Sequence, residues 1–268
     1  MSGPGPVRYR AAVAYVGTGF RGFQYQENAA RTVQAVLERA IETFSSASTA
    51  SSAGVRVHAA GRTDAGVHAD GQVIHFDLPS ERDPLRIRDG VNSLLPVDAR
   101  ILAVARAPEG FLARRDAVWK EYLYRWSRAD VIAPRDAPFV APIAPSAQAR
   151  PMRRAAALLE GRHDFSAFGV RMRRGESGVR RLHFIRIEER GDEIRALFRG
   201  DAFLRGMVRS ICGVLAHVAR GKAPEDRTAR VLEDRDPRLL APKAPAHGLT
   251  LTRVAYARDP FGVTPDVE

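Results

Sequence analysis

One short segment of the chain combines residue types that suit nucleophilic or acid–base chemistry. It reads Gly61-Arg62-Thr63-Asp64-Ala65-Gly66-Val67-His68 and joins two stretches with strand-like alternation. Its glycines permit positive φ angles, so the segment predicts a tight turn that presents the Asp64 carboxylate. Such a carboxylate either bonds to its own turn or acts on a substrate, and the segment alone leaves both interpretations open.

Two later segments carry side chains that suit a partner role for this carboxylate. Tyr122 and Tyr124 alternate in a strand-like stretch and therefore share one face. Arg209 lies in a largely apolar helical pattern that follows Phe203. A buried guanidinium without a counter-charge costs about 3–5 kcal/mol. Arg209 therefore predicts a carboxylate partner, and the same ion pair would keep Asp64 ionised.

Hydrophobic periodicity predicts the elements that position these residues. Strands are expected at Tyr9–Tyr15, Val55–Ala59, Gln72–Asp77, Ile101–Ala105, Glu121–Trp126, His183–Glu188, Ile194–Phe198 and Leu249–Val254. One helix is expected after Thr32, a predicted N-cap, with an apolar face formed by Val33, Leu37, Ala40, Ile41 and Phe44. A second helix carries Met207, Ile211, Leu215 and Val218 on one face and ends at Gly221.

A dense run of prolines suggests where two halves of the chain meet. Prolines at 134, 138, 142, 145 and 151 are too close together for a regular element. We therefore expect an N-terminal half at residues 1–133 with the Asp64 segment, a crossing at 134–151, and a C-terminal half at 152–268 with Arg209. A Ser- and Ala-rich stretch, Ser45–Ala53, is expected to be a flexible loop.

The charge of the chain points to a polyanionic partner. The net charge is +11, and arginine supplies 39 of the 42 basic residues. Arginine pairs with phosphate through two hydrogen bonds and stacks on bases, which favours nucleic acid, although a coding bias toward Arg and Ala gives the same excess. Five arginines form a predicted basic loop around Gly175 and Gly178: Arg171, Arg173, Arg174, Arg180 and Arg181.

Cysteine content and hydropathy narrow the class of protein further. The single cysteine, Cys212, excludes an intrachain disulfide and a multi-cysteine zinc site, which fits a reducing cytoplasm. Apolar runs are too short for a signal sequence or a membrane span. We therefore expect a cytoplasmic protein that does not bind a membrane.

Six blocks of the chain resemble the bacterial tRNA pseudouridine synthase A family. The most specific is the eight-residue segment Gly61–His68. The others are Tyr15-Val16-Gly17-Thr18 with Phe20 to Gln26, Phe111 to Ala117 leading into Tyr122 and Tyr124, Gly161 to Phe168, Phe203 to Arg209, and Ala244 to Leu249. The chain departs from the family at Val16, Asp201 and Ser210, where Asp, Asn and Asn are usual.

The resemblance implies a fold and an activity. The fold is α+β with two similar halves, each an antiparallel or mixed sheet with helices on one face, joined across a basic central cleft. The activity is isomerisation of uridine to pseudouridine at positions 38, 39 and 40 in the anticodon arm of tRNA. The family acts without a metal or cofactor and as a homodimer.

The resemblance also assigns roles to four residues of this sequence. Asp64 is the expected nucleophile and Arg209 its salt-bridge partner. Tyr122 is expected to pack on the target base. Arg62 is expected to fill the gap left when that base is flipped out of its stem. Attack at C1′, attack at C6 and abstraction of the 2′ proton all remain open.

Two other classes of protein account for part of the sequence. A metal hydrolase would use the histidines and aspartates crowded near Asp64, or the pair His163-Asp164, but no two histidines have the i, i+4 spacing of a helical zinc site. An RNA-binding module without catalysis would use the arginines and would not need Asp64.

Overall fold

The computed structural model describes residues 5–28, 31–46, 54–170, 175, 177–258 and 261. The chain forms two compact units. Unit 1 takes the chain up to Val118 and from Arg253 onward, and unit 2 is Trp119–Thr252. The chain thus changes unit at 118/119 and 252/253, whereas residues 134–151, expected as the crossing, lie inside unit 2.

Unit 1 contains an antiparallel sheet with two helices. Strand β1 pairs with β3 on one side and with β4 on the other, and the short β2 pairs with β3. The elements are β1 (Val7–Tyr15), α1 (Val33–Ser46), β2 (His58–Ala59), β3 (His68–Leu78), α2 (Pro84–Leu94) and β4 (Ala99–Arg106).

The described residues of unit 2 form a mixed sheet with three helices. The elements are β5 (Ala117–Ser127), β6 (Ala141–Pro142), α3 (Ala149–Ala157), β7 (Gly161–Asp164), β8 (Val179–Arg190), β9 (Glu193–Gly200), α4 (Met207–Ala219), α5 (Arg227–Asp234) and β10 (Leu249–Tyr256); β5 begins at the end of the first segment of unit 1, and β10 continues past Thr252 into unit 1. The strand order is β5-β9-β8-β7, antiparallel throughout, and the two-residue β6 lies parallel to β5.

Alternation along the strands separates a buried face of each sheet from a more open one. On β1 the side chains of Tyr9, Ala11, Val13 and Tyr15 are buried while those between them are partly exposed. Strand β9 repeats the pattern in unit 2, and helices pack against strands in both units, α2 on β4 and α3 on β8. These findings confirm the predicted α+β class with antiparallel or mixed sheets.

The structure confirms the predicted start of α1 and the predicted end of α4. The Thr32 hydroxyl accepts a hydrogen bond from the Ala35 amide at 3.2 Å, which caps α1. Gly221 has a φ of +67° just beyond α4, as a helix-ending glycine should. None of the helices that the structure describes is both long enough and apolar enough to cross a bilayer.

Three expectations about local structure need correction. The strand predicted at Val55–Ala59 is reduced to β2, because the amides of Val55 and Val57 bond to the Glu42 and Glu38 carboxylates instead of a neighbouring strand. A helix, α3, begins inside the proline run, because Pro151 falls in its first turn, where its missing N–H is not needed. Two residues of the predicted Ser/Ala loop, 45 and 46, end α1, and the remainder, 47–53, lies outside the described residues.

The predicted basic loop is described only in part. Arg171, Arg173 and Arg174 lie outside the described residues. Arg180 and Arg181 are not in a loop but in β8, where they pair with His163 and Arg162 of β7.

A pair of stacked histidines ties β2 to β3 in unit 1. The rings of His58 and His75 stack with centroids 4.8 Å apart. His75 is buried, and its Nδ1 accepts a hydrogen bond from the Ala113 amide at 3.1 Å. Burial, followed by the nearby His58 and Arg8, lowers the pKa of His75 to about 4. His75 is therefore neutral in the folded protein at neutral pH.

We predict that His75 makes the protein less stable in mild acid. An unfolded histidine has a pKa near 6.5, so between pH 6.5 and about 4 the unfolded chain binds one more proton than the folded chain. The free energy of unfolding should fall as the pH drops through this window, by at most about 1.4 kcal/mol per pH unit. Urea unfolding should show that His75→Gln loses this slope while His163→Gln, in unit 2, retains it. Equal slopes in all three proteins would contradict the assignment.

Candidate active site

The segment with Asp64 forms the predicted tight turn in unit 1. The Asp64 carbonyl accepts a hydrogen bond from the Val67 amide at 3.1 Å, so Asp64 is the first residue of a β-turn. Gly66, the third residue of that turn, has a φ of +81°, which favours glycine. Asp64 is half-buried and Arg62 is exposed. We call residues 61–68 the Asp64 turn.

A buried polar network holds the first arm of the Asp64 turn. The hydroxyls of Tyr15 and Thr63 are hydrogen-bonded at 2.8 Å, and both residues are buried. Gln72, fully buried, donates to the Gly61 carbonyl at 2.7 Å and to the Tyr15 hydroxyl at 3.5 Å. Burial raises the pKa of Tyr15 to about 12, against the opposing effect of these hydrogen bonds. Tyr15 therefore stays neutral and fixes the residue next to Asp64.

Two glycines, Gly17 and Gly22, lie very close to the Asp64 turn. The Gly17 amide donates to Nδ1 of His68 at 3.1 Å, and a Cβ on Gly17 would lie 2.0 Å from the Val67 carbonyl oxygen. Gly22 has a φ of +95°, and a Cβ there would lie 3.1 Å from the Thr63 carbonyl oxygen. That same carbonyl accepts from the Phe23 amide at 3.1 Å. The backbone of residues 17–23 thus braces the Asp64 turn directly.

An aromatic surface in unit 2 includes the candidate base-binding residue. Tyr122 and Tyr124 lie on the buried face of β5, as their alternation predicts. Phe203 packs edge-on against Tyr122, with ring centroids 5.0 Å apart. The Tyr124 hydroxyl donates to the Pro245 carbonyl at 2.8 Å, which ties β5 to the segment before β10.

Arg209 stands on an otherwise buried helix in unit 2. Every residue of α4 is buried except Arg209 and His217, which confirms the predicted apolar helix. The helix begins after Gly206, whose φ is +74°. Arg209 and Ala244 exchange two hydrogen bonds of 3.0 Å, from Nε to the Ala244 carbonyl and from the Ala244 amide to the Arg209 carbonyl. We call residues 242–245 the strap, since they run beside α4 and hold Arg209 in place.

Comparison with known proteins adds an independent finding. The family model described as tRNA pseudouridine synthase matches residues 11–114 and 155–257. A protein of Methylobacterium nodulans named tRNA pseudouridine synthase A is 40% identical over 255 residues, which cover 93% of this chain and 96% of that protein. The protein of the same name from Listeria monocytogenes serotype 4a is 37% identical over 251 residues, which cover 93% and 99%. The chain belongs to the tRNA pseudouridine synthase family.

A likeness to a solved structure adds nothing to this assignment. A chain in a Cbf5-Nop10-Gar1 complex aligns with 91% of this chain and 49% of its own length, at 11% identity and a TM-score of 0.35. That score is too low to support an argument.

Within this member of the tRNA pseudouridine synthase family, the four candidate residues divide between the units. Asp64 and Arg62 lie in unit 1, and Tyr122 and Arg209 lie in unit 2. The family match includes all of them except Tyr122, which falls between its two segments. Pairing of Asp64 with Arg209, and the roles of Tyr122 and Arg62, stay predictions.

The histidines and aspartates that suggested a metal hydrolase have other partners. His68 and His75 each use Nδ1 to accept a backbone amide, from Gly17 and from Ala113. In the pair His163-Asp164, the aspartate accepts from the Ser166 amide at 2.9 Å. Across the described parts of the chain, no three His, Cys, Asp or Glu side chains are grouped as metal ligands would be.

Sequence reasoning missed the residues that support the Asp64 turn. The sequence places Tyr15 in a strand and a family block, Gln72 in a strand, and His68 in the motif and the histidine-rich region, and it predicts a supporting role for none of them. A usable signal was present, because a glutamine in a strand as apolar as β3 must satisfy its amide inside the core. Such a residue predicts a buried polar contact even before its partner is known.

We predict that an alanine at position 22 disturbs the Asp64 turn and thereby the activity. Gly22 and Gly110 both have positive φ, so Ala at either costs about 1–2 kcal/mol of backbone strain. Only at Gly22 would the methyl press on the turn, since nothing lies within 4 Å of a Cβ at Gly110. Pseudouridine formation in tRNA should fall about tenfold or more in Gly22→Ala and little in Gly110→Ala. Similar activity in both variants, at similar losses of urea stability, would contradict this role.

Proposed function

We propose that this protein isomerises uridine to pseudouridine at positions 38, 39 and 40 in the anticodon arm of tRNA, with Asp64 as the nucleophile. The observation that supports the role of Asp64 most is its position as first residue of a β-turn braced on both sides. Such bracing acts on the backbone of the turn and on the neighbouring residues, and it therefore fixes the position from which the carboxylate acts. Because tRNA is the substrate, we also propose a cytoplasmic location.

A carboxylate suits the bond changes of this reaction. The N1–C1′ glycosidic bond breaks, the uracil rotates, and a C5–C1′ bond forms, so the product is an isomer and neither water nor an oxidant is consumed. A carboxylate can bond covalently to a carbon electrophile and later leave, or can accept a proton. Attack at C1′, attack at C6 and removal of the 2′ proton are all consistent with Asp64.

We propose that Arg209 is the counter-charge that pairs with Asp64. Arg209 and His217 are the α4 residues that are not buried, and the strap fixes Arg209 through Nε. A guanidinium has five N–H donors, so the bond to Ala244 is compatible with a carboxylate partner. Charge-assisted hydrogen bonds of this kind are short and directional, so the ion pair would hold the carboxylate in one orientation.

We propose that Tyr122 binds the flipped base and that Arg62 acts on the place that this base leaves. The ring of Tyr122, packed edge-on against Phe203, offers a rigid aromatic surface for the uracil. Arg62 is exposed on the Asp64 turn, two residues before Asp64, where a long cationic side chain can enter the space that the uridine leaves or hold a phosphate.

We further propose that two copies of the chain associate through the open face of the unit 2 sheet. Arg199 lies 4.2 Å from the ring centre of Trp119 and 4.8 Å from that of Phe184. Arginines on this face are paired with glutamates: Arg199 with Glu121, and both Arg125 and Arg195 with Glu193. A face with balanced charges and large apolar rings fits a second copy of itself better than a polyanion.

A covalent-trap experiment tests the catalytic proposal. Transfer RNA containing 5-fluorouridine should form a covalent adduct with the wild-type protein and none with Asp64→Asn, while the variant still binds tRNA. Asp130→Asn, a change at an exposed aspartate of unit 2, should form the adduct normally. Substrates with fluorouridine at one position each should give adducts at 38, 39 and 40.

Three results would contradict the proposal or part of it. An adduct with Asp64→Asn would remove Asp64 from the chemistry. Binding of tRNA without pseudouridine formation by the wild type would favour an RNA-binding module. Loss of activity in EDTA would indicate a metal-dependent reaction.

The mass in solution tests the dimer. Light scattering should give twice 29.4 kDa for the wild type at micromolar concentration. Leu197 is half-exposed on the open face of β9, so Leu197→Arg should shift the mass to that of a monomer. Leu158, 44% exposed just after α3, provides the matched control, and Leu158→Arg should remain dimeric. A monomeric wild type, or a dimeric Leu197→Arg, would contradict this interface.

A further inference from the structure

A crevice of about 310 Å³ lies within unit 2, between α4, the strap and the ends of β5 and β6. It is lined by Trp126, Pro142, Gly213, Ala216, His217, Arg220 and residues 242–245. Four of them form one stripe along the helix: Gly213, Ala216 and His217 of α4, and Arg220 directly after it. The volume is at the lower end of the range for small-molecule sites in proteins.

The lining of the crevice is positively charged. Arg220 is a cation at the end of α4, the ammonium of Lys243 lies beside Gly206 at the start of α4, and none of the lining residues is a carboxylate. Among the ion pairs of the described residues, none includes Arg220 or Lys243. Arg220 donates from Nε to the Ala216 carbonyl at 3.0 Å, which caps the end of α4 and leaves its two terminal NH₂ groups for another acceptor.

Neighbouring residues add to this positive charge. Burial lowers the pKa of His217, and the cations of Arg220, Lys222 and Arg227 lower it further. The buried Nε of Arg227 has no hydrogen-bond partner within the described chain. Arg220, Lys222 and Arg227 thus act on one place at the end of α4, while the adjacent Glu225 and Asp226 are paired with Arg154 and Arg230. An anion at this place would reduce the repulsion among the three cations.

We propose that the crevice between α4 and the strap binds a phosphate group. A guanidinium that has its terminal nitrogens unpaired matches two phosphate oxygens, and the cations of Lys222 and Arg227 add to the positive field at the same end of α4. Trp126 and the prolines at 142, 242 and 245 supply apolar lining to the same crevice, which suits an organic phosphate. The phosphate can come from a small phosphorylated molecule or from the tRNA backbone, and the chemistry of recognition is the same.

Fluorescence of Trp126 tests the proposal directly. The chain has two tryptophans, so Trp119→Phe leaves the one that lines the crevice. Glucose 6-phosphate should change its emission saturably, and Arg220→Gln should raise the Kd about tenfold or more. Arg162→Gln, which removes an exposed cation from β7, is the matched control and should leave the Kd unchanged.

A second titration separates the two sources of phosphate. If glucose 6-phosphate gives no signal but tRNA changes the emission, and Arg220→Gln weakens this tRNA effect, the ligand is the RNA backbone. If neither probe changes the emission, or Arg220→Gln binds as the wild type does while its melting temperature is unchanged, the proposal is wrong. Asp64→Asn should bind as the wild type does, so this result does not depend on the proposed catalytic role.

Discussion

The buried hydrogen bond between Tyr15 and Thr63 is the contact on which the proposed active site most depends. It joins the end of β1 to the residue before Asp64, and Gln72 links both strands to the same turn. The pairing of β1 with β3 shifts register between Val13 and Tyr15, which re-aims Tyr15 toward the turn. Polar groups buried at this depth are costly unless all of them are bonded, so the network favours one geometry of the turn.

The arginines of this structure fall into two groups, which differ in whether a carboxylate pairs with them. Many arginines are neutralised, as in the open face of unit 2, where Glu121 and Glu193 pair with three of them. Others, such as Arg220 and Arg227 near the end of α4, lie close to each other, while the adjacent Glu225 and Asp226 are paired with Arg154 and Arg230. The net charge of +11 therefore describes the chain poorly as a single basic surface. What matters for binding is where acidic partners are missing.

Local patterns predicted much of the fold, and non-local contacts decided the rest. Alternation in β1 and β9, the Thr32 cap and Gly221 are properties of short segments, and the structure confirms them. Val55 and Val57 alternate as well, but carboxylates from α1 take their amides, which no local pattern contains. Helix α2 escaped prediction because only Ile87 and Val91 are buried along it. For the site, the motif predicted the turn and its glycines, whereas the support from Tyr15 and Gln72 depends on strand register.

The interleaved order of the two units constrains how the protein is made. Unit 2 is one continuous stretch, but unit 1 is completed by residues after Thr252, where the Tyr256 hydroxyl donates to the Ala113 carbonyl at 2.7 Å and its ring packs near Phe111. These residues are synthesised after unit 2. Unit 1 starts to be synthesised before unit 2, but it acquires all its contacts only after unit 2 is complete. During synthesis, its unfinished sheet stays exposed while the later unit assembles, a period in which chaperone protection matters most.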